Sequence, residues 1–222
     1  MTLFHSGFPG HAMFNRTTLV VLLAALAGGL GLLAASRVFD RPEAAGQPAL
    51  QVVKLFPQPR EIPPFSLVQS DGTQLVPGEL HGHWTLVFIG FTFCPDVCPT
   101  TLAQLARAQK RWESLPESTR PRVLFVSVDP ERDTPELAGR YAAHFDPGFL
   151  GATAGHEVLE PFARSMGMVY MQSPLEGGGY TVDHSSNIAV LDPQARLVGL
   201  MRPPFEAATI AADLRALAGA RE

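Results

Sequence analysis

Apolar residues follow three different patterns along the chain, and the first of them lies near its start. Residues 19–35 contain no polar side chain, and two threonines and a serine extend this run to residues 17–36. A helix of about 20 residues just spans a hydrocarbon core of about 30 Å. The run therefore predicts a transmembrane anchor or a signal sequence over residues 17–36, preceded by a tail over residues 1–16. The apolar core of a cleavable signal is shorter, at about 7–15 residues, which favours a retained anchor.

The second pattern is the lack of apolar periodicity over residues 37–51, which predicts a linker. The third begins at residue 52, where apolar runs of strand length alternate with segments in which apolar residues recur at helical spacing. Two of the runs, residues 84–91 and 122–128, are predominantly apolar, as expected of strands buried on both faces of a sheet. Further strands are predicted over 168–172, 188–191 and 197–201, and helices over 100–112, from 135 onward, over 157–166 and over 205–217.

This alternation predicts an α/β domain over residues 52–222 with a mainly parallel central sheet. The pair Asp71-Gly72, between two short apolar pieces, predicts a hairpin over residues 62–76 at the start of the domain. Two cysteines follow the first buried strand directly. That is the position where a thioredoxin-type fold carries its active site.

Composition and charge exclude several classes of protein. The chain has 222 residues, of which 46% are hydrophobic, and this excludes disorder throughout. Its two cysteines are too few for a disulfide-rich scaffold or a four-cysteine zinc site. The 17 basic and 21 acidic residues give a net charge of −4 without a basic run. Because phosphate binding needs clustered Lys and Arg, nucleic acid is not the expected partner.

The two cysteines, Cys94 and Cys98, lie in one loop at the predicted start of a helix. Free backbone N–H groups and the helix dipole stabilise thiolates at such a position. The four-residue spacing also places both sulfurs on one side of a helical turn, where they form half of a soft-metal site or, once oxidised, a small disulfide loop. A purely structural disulfide is disfavoured, because closing so short a loop removes little entropy from the unfolded chain.

His184 is the next candidate, and it lies shortly before the strand predicted at residues 188–191. Two thiolates and one imidazole would make a three-coordinate site suited to Cu(I). In the alternative interpretation, His184 is an ordinary loop histidine capped by Asp183. The residue pattern by itself leaves both interpretations open.

Three motifs occur in order along the domain, namely FTFCPDVCPTTL at 91–102, VSVDPERDTP at 126–135 and YTVDHSSN at 180–187. Together with IPPFSLVQSDG at 62–72, they resemble the Sco/SenC family over most of the chain after residue 62. The resemblance implies a thioredoxin-like fold, an N-terminal membrane anchor, and a copper site of two cysteines and one histidine. By their positions in the motifs, the implied copper ligands are Cys94, Cys98 and His184.

The resemblance also implies a function, the delivery of copper to the binuclear CuA centre of cytochrome c oxidase. The expected cargo is Cu(I), with Cu(II) also compatible, and the expected partner is the copper-bearing oxidase subunit or another copper chaperone. The alternative is a thiol-disulfide reductase that uses Cys94 and Cys98 as a redox dithiol on the oxidase or on another exported protein. His184 separates the two functions, because copper retention needs its imidazole and dithiol exchange needs only the cysteines.

Of these functions, a non-enzymatic metallochaperone is favoured. A thiol peroxidase is disfavoured, because the threonine that supports a peroxidatic cysteine does not occur at the required spacing before Cys94.

Three carboxylates are candidates for supporting roles around the site. Asp183 is expected to orient His184 as a hydrogen-bond partner. Asp96, between the cysteines, is a candidate to tune the thiolate charge or to contact a partner, although an ordinary exposed loop acid is slightly favoured. Asp129 follows the second buried strand, at the end of the sheet where α/β proteins place their sites. It is therefore a candidate to line the copper loop or a docking surface, whereas Asp133 and Thr134 are expected to supply acceptors at the start of the helix that follows.

The charges that flank the apolar run do not decide its orientation, because one arginine precedes it and Arg37 and Arg41 follow it. A short tail before the run and a large domain after it are typical of an export signal. The sequence therefore predicts a single-pass protein of a bacterial-type inner membrane, with its soluble domain on the periplasmic side.

Overall fold

The structure, a computed structural model, describes residues 16–39 and 49–219. The chain divides into two units, Met1–Gln47 and Pro48–Glu222. Almost all of the predicted N-terminal tail and most of the predicted linker lie outside the described residues.

The described part of the first unit is one helix, α1 (Arg16–Phe39). Its span Arg16–Ala35 has a mean hydropathy of 2.3. By length and composition α1 is able to cross a membrane, and its place near the N-terminus also suits a signal sequence.

The second unit contains strands and helices that alternate over part of its length. The strands are β1 (Val53–Arg60), β2 (Leu67–Gln69), β3 (Gln74–Leu75), β4 (Thr85–Gly90), β5 (Arg122–Ser127), β6 (Leu150–Thr153), β7 (Tyr170–Pro174), β8 (Tyr180–His184), β9 (Ile188–Leu191) and β10 (Leu197–Met201). The helices are α2 (Val97–Trp112), α3 (Pro135–Phe145), α4 (His156–Ser165) and α5 (Ala207–Gly219). Eight strands form one sheet in the order β1-β10-β9-β4-β5-β6-β2-β3, and β7 and β8 form a separate two-stranded sheet.

Strands β4 and β5 lie at the centre of the main sheet, and β4 is buried along its whole length. Successive side chains of a strand point to opposite faces, so β4 contributes to two cores. Leu86 and Phe88 pack with α2, α3 and α5 on one face. Val87 and Ile89 pack with α4 and the β2–β3 hairpin on the other face. Because both faces of β4 are covered, apolar residues do not alternate with polar ones along this strand.

The expectation of a mainly parallel sheet is wrong. Only the β4–β5 and β5–β6 pairs are parallel, and the other pairs of the described sheet are antiparallel. Strand β9 runs back along β4 because it begins at the edge where β4 ends, with Ile188 opposite Phe88. A tight turn joins β9 to β10, closed by a hydrogen bond from the Ala195 N–H to the Asp192 carbonyl, and such a turn can only join antiparallel strands.

Several predicted elements are confirmed with shifted ends. The N-terminal hairpin is present, with β2 antiparallel to β3 and Gly72 at a φ of +82° in the turn. Helix α2 begins at Val97 and not at residue 100, because a proline in the first turn of a helix, here Pro99, removes no internal hydrogen bond. The earlier start places Cys98 inside the first helical turn.

Strands β1, β6 and β8 are not predicted by the sequence pattern. Strand β1 contains Pro57 and Pro59, and it lies at the edge of the sheet, where proline is tolerated. In β8 only Val182 is buried, so its apolar signal is weak. Strand β8 matters for the site, because His184 lies at its end and not in a loop.

Candidate metal centre

Cys94 lies in the connection from β4 to α2, and Cys98 follows it inside the helix. Cys94 is partly exposed, and Cys98, the second residue of α2, is fully buried. The backbone N–H of Cys98 belongs to the first helical turn and donates to Cys94 Sγ over 3.4 Å. The backbone N–H of Cys94 donates to the carbonyl oxygen of Phe91 over 3.2 Å. These two bonds fix the loop with its sulfurs as neighbours.

Gly90, the last residue of β4, leaves the space that the Cys98 sulfur fills. A Cβ atom at this position would lie 2.6 Å from Cys98 Sγ and 3.0 Å from the ring of Phe125. The site therefore requires glycine here. Nothing in the sequence around Gly90 indicates this requirement, because both contacts come from other elements.

A buried carboxylate ties the cysteine loop to the end of β5. Asp133 is fully buried, and its Oδ2 accepts hydrogen bonds from the Thr92 backbone N–H at 2.8 Å and from the Ser127 hydroxyl at 2.5 Å. Its Oδ1 accepts from the Thr92 hydroxyl at 2.5 Å. The sequence predicts that Asp133 and Thr134 together cap α3, but only Thr134 does so, accepting from the Leu137 N–H at 3.3 Å. Asp133 instead holds the loop two residues before the first cysteine.

The ring of His184 lies against the strand and loop that precede the cysteines. It packs edge-on against Phe88 and Phe91, with ring centroids 5.9 and 6.0 Å away. Nδ1 lies 3.0 Å from the carbonyl oxygen of Ser185 and donates to it, because a carbonyl can only accept. Nε2 faces the cysteines and lies 3.3 Å from Cys98 Sγ.

The Nε2 atom of His184 and the Sγ atoms of Cys94 and Cys98 all lie within 4.8 Å of one another. Within residues 16–39 and 49–219, this is the one group of three Cys, His, Asp or Glu side chains close enough to hold a metal ion. Two sulfurs and an imidazole nitrogen are soft donors, which suit Cu(I) and not Mg²⁺ or Ca²⁺, whose ligands are oxygens. Structural zinc sites use four protein ligands, whereas three leave a position open.

The two thiols carry unequal charge in the reduced, metal-free site. A hydrogen bond from the Cys98 thiol lowers the pKa of Cys94 to about 4, against the opposing effect of burial and with help from the backbone N–H of Cys98. The same hydrogen bond, together with burial, raises the pKa of Cys98 far above the ordinary range of a thiol. At neutral pH the site therefore holds one thiolate and one thiol. Binding a metal through both sulfurs releases one proton.

The role expected of Asp183 needs correction. Neighbouring residues of a strand point to opposite faces, so Asp183 faces away from the ring of His184. Its carboxylate accepts a hydrogen bond from the hydroxyl of Ser173 on β7. The group that orients His184 is the carbonyl oxygen of Ser185.

Asp96 precedes α2, and its side chain is exposed. Its Oδ1 accepts a hydrogen bond from the Thr100 hydroxyl over 3.3 Å, in the first turn of the helix. The backbone N–H of Asp96, and not its carboxylate, helps to lower the pKa of Cys94. The carboxylate is thus part of the helix start, with one side open to solvent.

Asp129 is fully buried and faces the start of β8. Its Oδ2 lies 2.6 Å from Arg132 Nε, and its Oδ1 accepts a hydrogen bond from the Tyr180 hydroxyl at 2.7 Å. Arg132 and Tyr180 are not among the residues predicted from the sequence to act at the site. The sequence signal that could have identified them is their position in the motifs at 126–135 and 180–187, which also contain Asp129 and His184.

The family to which the chain belongs follows from comparison with known proteins. A family model described as SCO1/SenC matches residues 55–219. The chain belongs to the SCO1/SenC family. Proteins of this family are linked with copper handling and with the assembly of cytochrome c oxidase.

Sequence relatives of this family member occur in bacteria and in mitochondria. A protein of Stutzerimonas stutzeri is 35% identical over 156 residues, which cover 69% of this chain and 75% of that protein. The mitochondrial Protein SCO1 homolog 1 of Arabidopsis thaliana is 39% identical over 136 residues, which cover 61% of this chain and 40% of that protein. The match thus spans less than half the length of the mitochondrial relative.

Solved Sco structures share the fold. The crystal structure of Arabidopsis thaliana ScoI with copper bound is 32% identical with a TM-score of 0.65, over 70% of this chain and 96% of that one. The solution structure of apo Sco1 from Thermus thermophilus is 41% identical with a TM-score of 0.65, over 74% of this chain and 95% of that one. These similarities confirm the predicted α/β, thioredoxin-like fold.

Proposed function

We propose that this protein is a membrane-anchored copper chaperone, which binds copper through Cys94, Cys98 and His184 and delivers it to the CuA centre of cytochrome c oxidase. The observation that carries the proposal is the cluster of three soft donor atoms within 4.8 Å of one another. The copper-bound Arabidopsis relative supports copper as the metal. The link of the family with oxidase assembly supports the copper-bearing oxidase subunit, or another copper chaperone, as the partner.

The three ligands differ in exposure, which suits a site that takes up copper and gives it away. Cys98 is fully buried, whereas Cys94 and His184 are partly exposed. An acceptor thiolate or imidazole therefore approaches the copper from the side of Cys94 and His184, at the position that three ligands leave open. Two thiolates give the bound site a charge of −1 with Cu(I) and zero with Cu(II), so charge excludes neither valence.

Helix α1 supplies the membrane attachment in this proposal. Its span is long and apolar enough to cross a membrane, with a mean hydropathy of 2.3. Anchored in a bacterial-type inner membrane, it would tether the copper-binding domain, residues 52–222, to the periplasmic surface through residues 37–51. The chaperone and a membrane-bound acceptor would then meet by diffusion in two dimensions.

A thiol-disulfide reductase is the second candidate, and the lowered pKa of Cys94 favours it. A partly exposed thiolate that persists below neutral pH is able to attack a substrate disulfide. Cys94 would form a mixed disulfide and release one substrate thiolate, and the sulfur of Cys98 would then attack Cys94 and release the second. The proton of Cys98 passes to a leaving thiolate, the substrate gains two electrons, and the protein is left with a Cys94–Cys98 disulfide.

An anaerobic Cu(I) competition titration of the reduced, full-length protein in detergent separates the two candidates. We expect one copper ion per chain. Removing any ligand, as in Cys94→Ser, Cys98→Ser or His184→Ala, should weaken binding at least about 100-fold, which exceeds the usual effect of losing an outer partner. The control His81→Ala changes an exposed histidine outside the cluster and should bind like the wild type.

Binding that does not depend on His184 would contradict the chaperone proposal and favour the reductase. Reduction of a model disulfide should survive His184→Ala in either case, because it requires only the two cysteines. Transfer of the bound copper to a copper-free oxidase domain is then the direct test of delivery.

A further inference from the structure

The β7–β8 hairpin carries His184 but is not part of the main sheet. Among the described strands, β7 and β8 pair only with each other, and a two-stranded hairpin by itself is marginally stable in water. Tyr180, Val182 and His184 lie on one face of β8, and Val182 on that face is buried. The position of the His184 ring therefore depends on the contacts that hold this face against the rest of the domain.

Arg132 provides a group of these contacts at the start of β8. Its Nε lies 2.6 Å from Oδ2 of the buried Asp129, and its Nη1 donates to the carbonyl oxygen of Tyr180 over 3.1 Å. The guanidinium also stacks over the Tyr180 ring, 4.0 Å from the centroid. The Tyr180 hydroxyl closes the network by donating to Asp129 Oδ1 over 2.7 Å. The start of β8 is thus bound to the turn that follows β5.

The same guanidinium contacts the cysteine loop. It lies 5.2 Å from the ring centroid of Phe93, which directly precedes Cys94, and 5.6 Å from that of Phe91. Phe91 packs in turn against the ring of His184, with centroids 6.0 Å apart. One side chain therefore touches both of the segments that carry the candidate copper ligands.

We propose that Arg132 is a positioning residue of the copper site, which clamps the hairpin to the cysteine loop and thereby sets the separation between His184 and Cys94. This inference rests on the proposed function, because it assigns Arg132 to the geometry of that site. Tyr180 and His184 are four residues apart on one strand, or roughly 13 Å at about 3.3 Å per residue. A shift of Tyr180 is carried along the paired strand to the imidazole.

The clamp uses features that only arginine offers. A planar guanidinium donates to a carboxylate and to a carbonyl oxygen at the same time while its face stacks on an aromatic ring, and a lysine ammonium keeps the charge without the plane or the fork. Nη2 of Arg132 is buried and has no hydrogen-bond partner in the described part of the chain, so Nε and Nη1 carry the polar contacts. Arg132→Lys should therefore keep a cation beside Asp129, preserve the fold and loosen the clamp.

A double-mutant cycle on copper affinity tests whether Arg132 acts through His184. We expect Arg132→Lys to weaken Cu(I) binding of the full-length protein about 10–100-fold, the usual cost of losing a group that orients a metal ligand. In the His184→Ala background, the same substitution should change affinity less than about threefold, because the ligand it positions is gone. The matched control Arg164→Lys changes an exposed arginine paired with Glu160 on α4 and should leave affinity unchanged.

Hydrogen exchange of the metal-free protein gives a second readout that does not involve copper. We expect backbone amides of residues 170–184 to exchange faster in Arg132→Lys, while those of β4 and β5 keep the wild-type rates. The variant Asp129→Asn/Arg132→Met removes both charges, so it leaves no ionised group unpaired in the interior. It tests the clamp in the case that the lysine of Arg132→Lys still holds the hairpin in place.

The proposal is overturned if these variants fold, bind Cu(I) within about threefold of the wild type and keep wild-type exchange in the hairpin. It is also overturned if Arg132→Lys causes the same loss of affinity with and without His184. Arg132 would then stabilise the domain as a whole and would not act through His184. Failure of the proposed function looks different. In that case the wild type and His184→Ala bind Cu(I) equally, and the exchange of the metal-free hairpin still decides whether Arg132 clamps it.

Discussion

Nε2 of His184 lies 3.3 Å from the sulfur of Cys98, although 86 residues separate the two in the chain. Cys98 reaches this point in the first turn of α2, and His184 reaches it at the end of a hairpin outside the main sheet. The contact brings the last of three soft donors to the site. It depends on tertiary contacts made by Gly90, Asp133 and Arg132, and each of these residues can be tested by substitution.

Gly90→Ala should displace the Cys98 sulfur. The added Cβ would lie 2.6 Å from Cys98 Sγ, and overpacking a core in this way costs about 1–3 kcal/mol. We expect a loss of that size in the free energy of unfolding, measured in urea, together with weaker Cu(I) binding. In the matched control Gly78→Ala, the new Cβ meets nothing within 4 Å. Identical stability and affinity of the two variants would mean that the sulfur moves aside without cost.

Asp133→Asn should loosen the cysteine loop from β5. An amide presents an NH₂ group where one carboxylate oxygen now accepts, so a buried donor of Thr92 or Ser127 loses its partner. Such a group costs about 1–3 kcal/mol, which urea unfolding of the metal-free protein would detect. Asp71→Asn, in an exposed turn, is the control, with an expected change within about 0.5 kcal/mol. If Asp133→Asn is as stable as this control, the Asp133 carboxylate does not stabilise the cysteine loop.

Alkylation of Cys94 should depend little on pH near neutrality. Its pKa is lowered to about 4, so the thiolate is present at neutral pH and is lost only as the pH falls through that value. We expect the reduced, metal-free protein to react with iodoacetamide at a nearly constant rate between about pH 8 and pH 6, where an ordinary thiol slows about tenfold per pH unit. Cys98→Ala removes the largest cause of the shift and should move the midpoint to higher pH. A tenfold slowing per unit in the wild type would refute the lowered pKa.

The apolar helix α1 should remain on the mature protein. Intact-mass spectrometry of the membrane fraction should give a chain that still contains residues 17–36. Leu26→Arg places a charge near the centre of the span at a cost of about 2.5–3.5 kcal/mol and should reduce the membrane-bound share, whereas Leu26→Val should not. A shortened chain in the soluble fraction, beginning near residue 36, would identify the segment as a cleaved signal.

Much of the candidate site was predictable because its chemistry is local. Cys94 and Cys98 lie four residues apart at a helix start, and chain geometry alone places their sulfurs on one side of that turn. The central strands were predictable for a similar reason, because continuous apolar runs record burial on both faces. His184 was predictable by residue type and motif, but its strand was not, because most of β8 is only partly buried or exposed.

The supporting residues were not predictable, because periodicity shows which face of an element is buried and not what lies against it. Asp183 directly precedes His184 in the chain, yet the strand turns it to the other face, towards Ser173. Asp133 was predicted as part of a helix cap, but its carboxylate accepts hydrogen bonds from Thr92 in the cysteine loop and from Ser127 on β5. Each of these outcomes depends on a contact between segments distant in sequence.

The sequence by itself therefore determined an apolar N-terminal span, the α/β class and the paired cysteines, because each is set by residue type and short-range spacing. His184 was assigned only by the resemblance of its motif to the family. Only the tertiary structure decided which groups hold the three soft donors in place. The packing of β8 against the cysteine loop brings Arg132 between the two segments, and the antiparallel return of β9 along β4 sets where the hairpin ends.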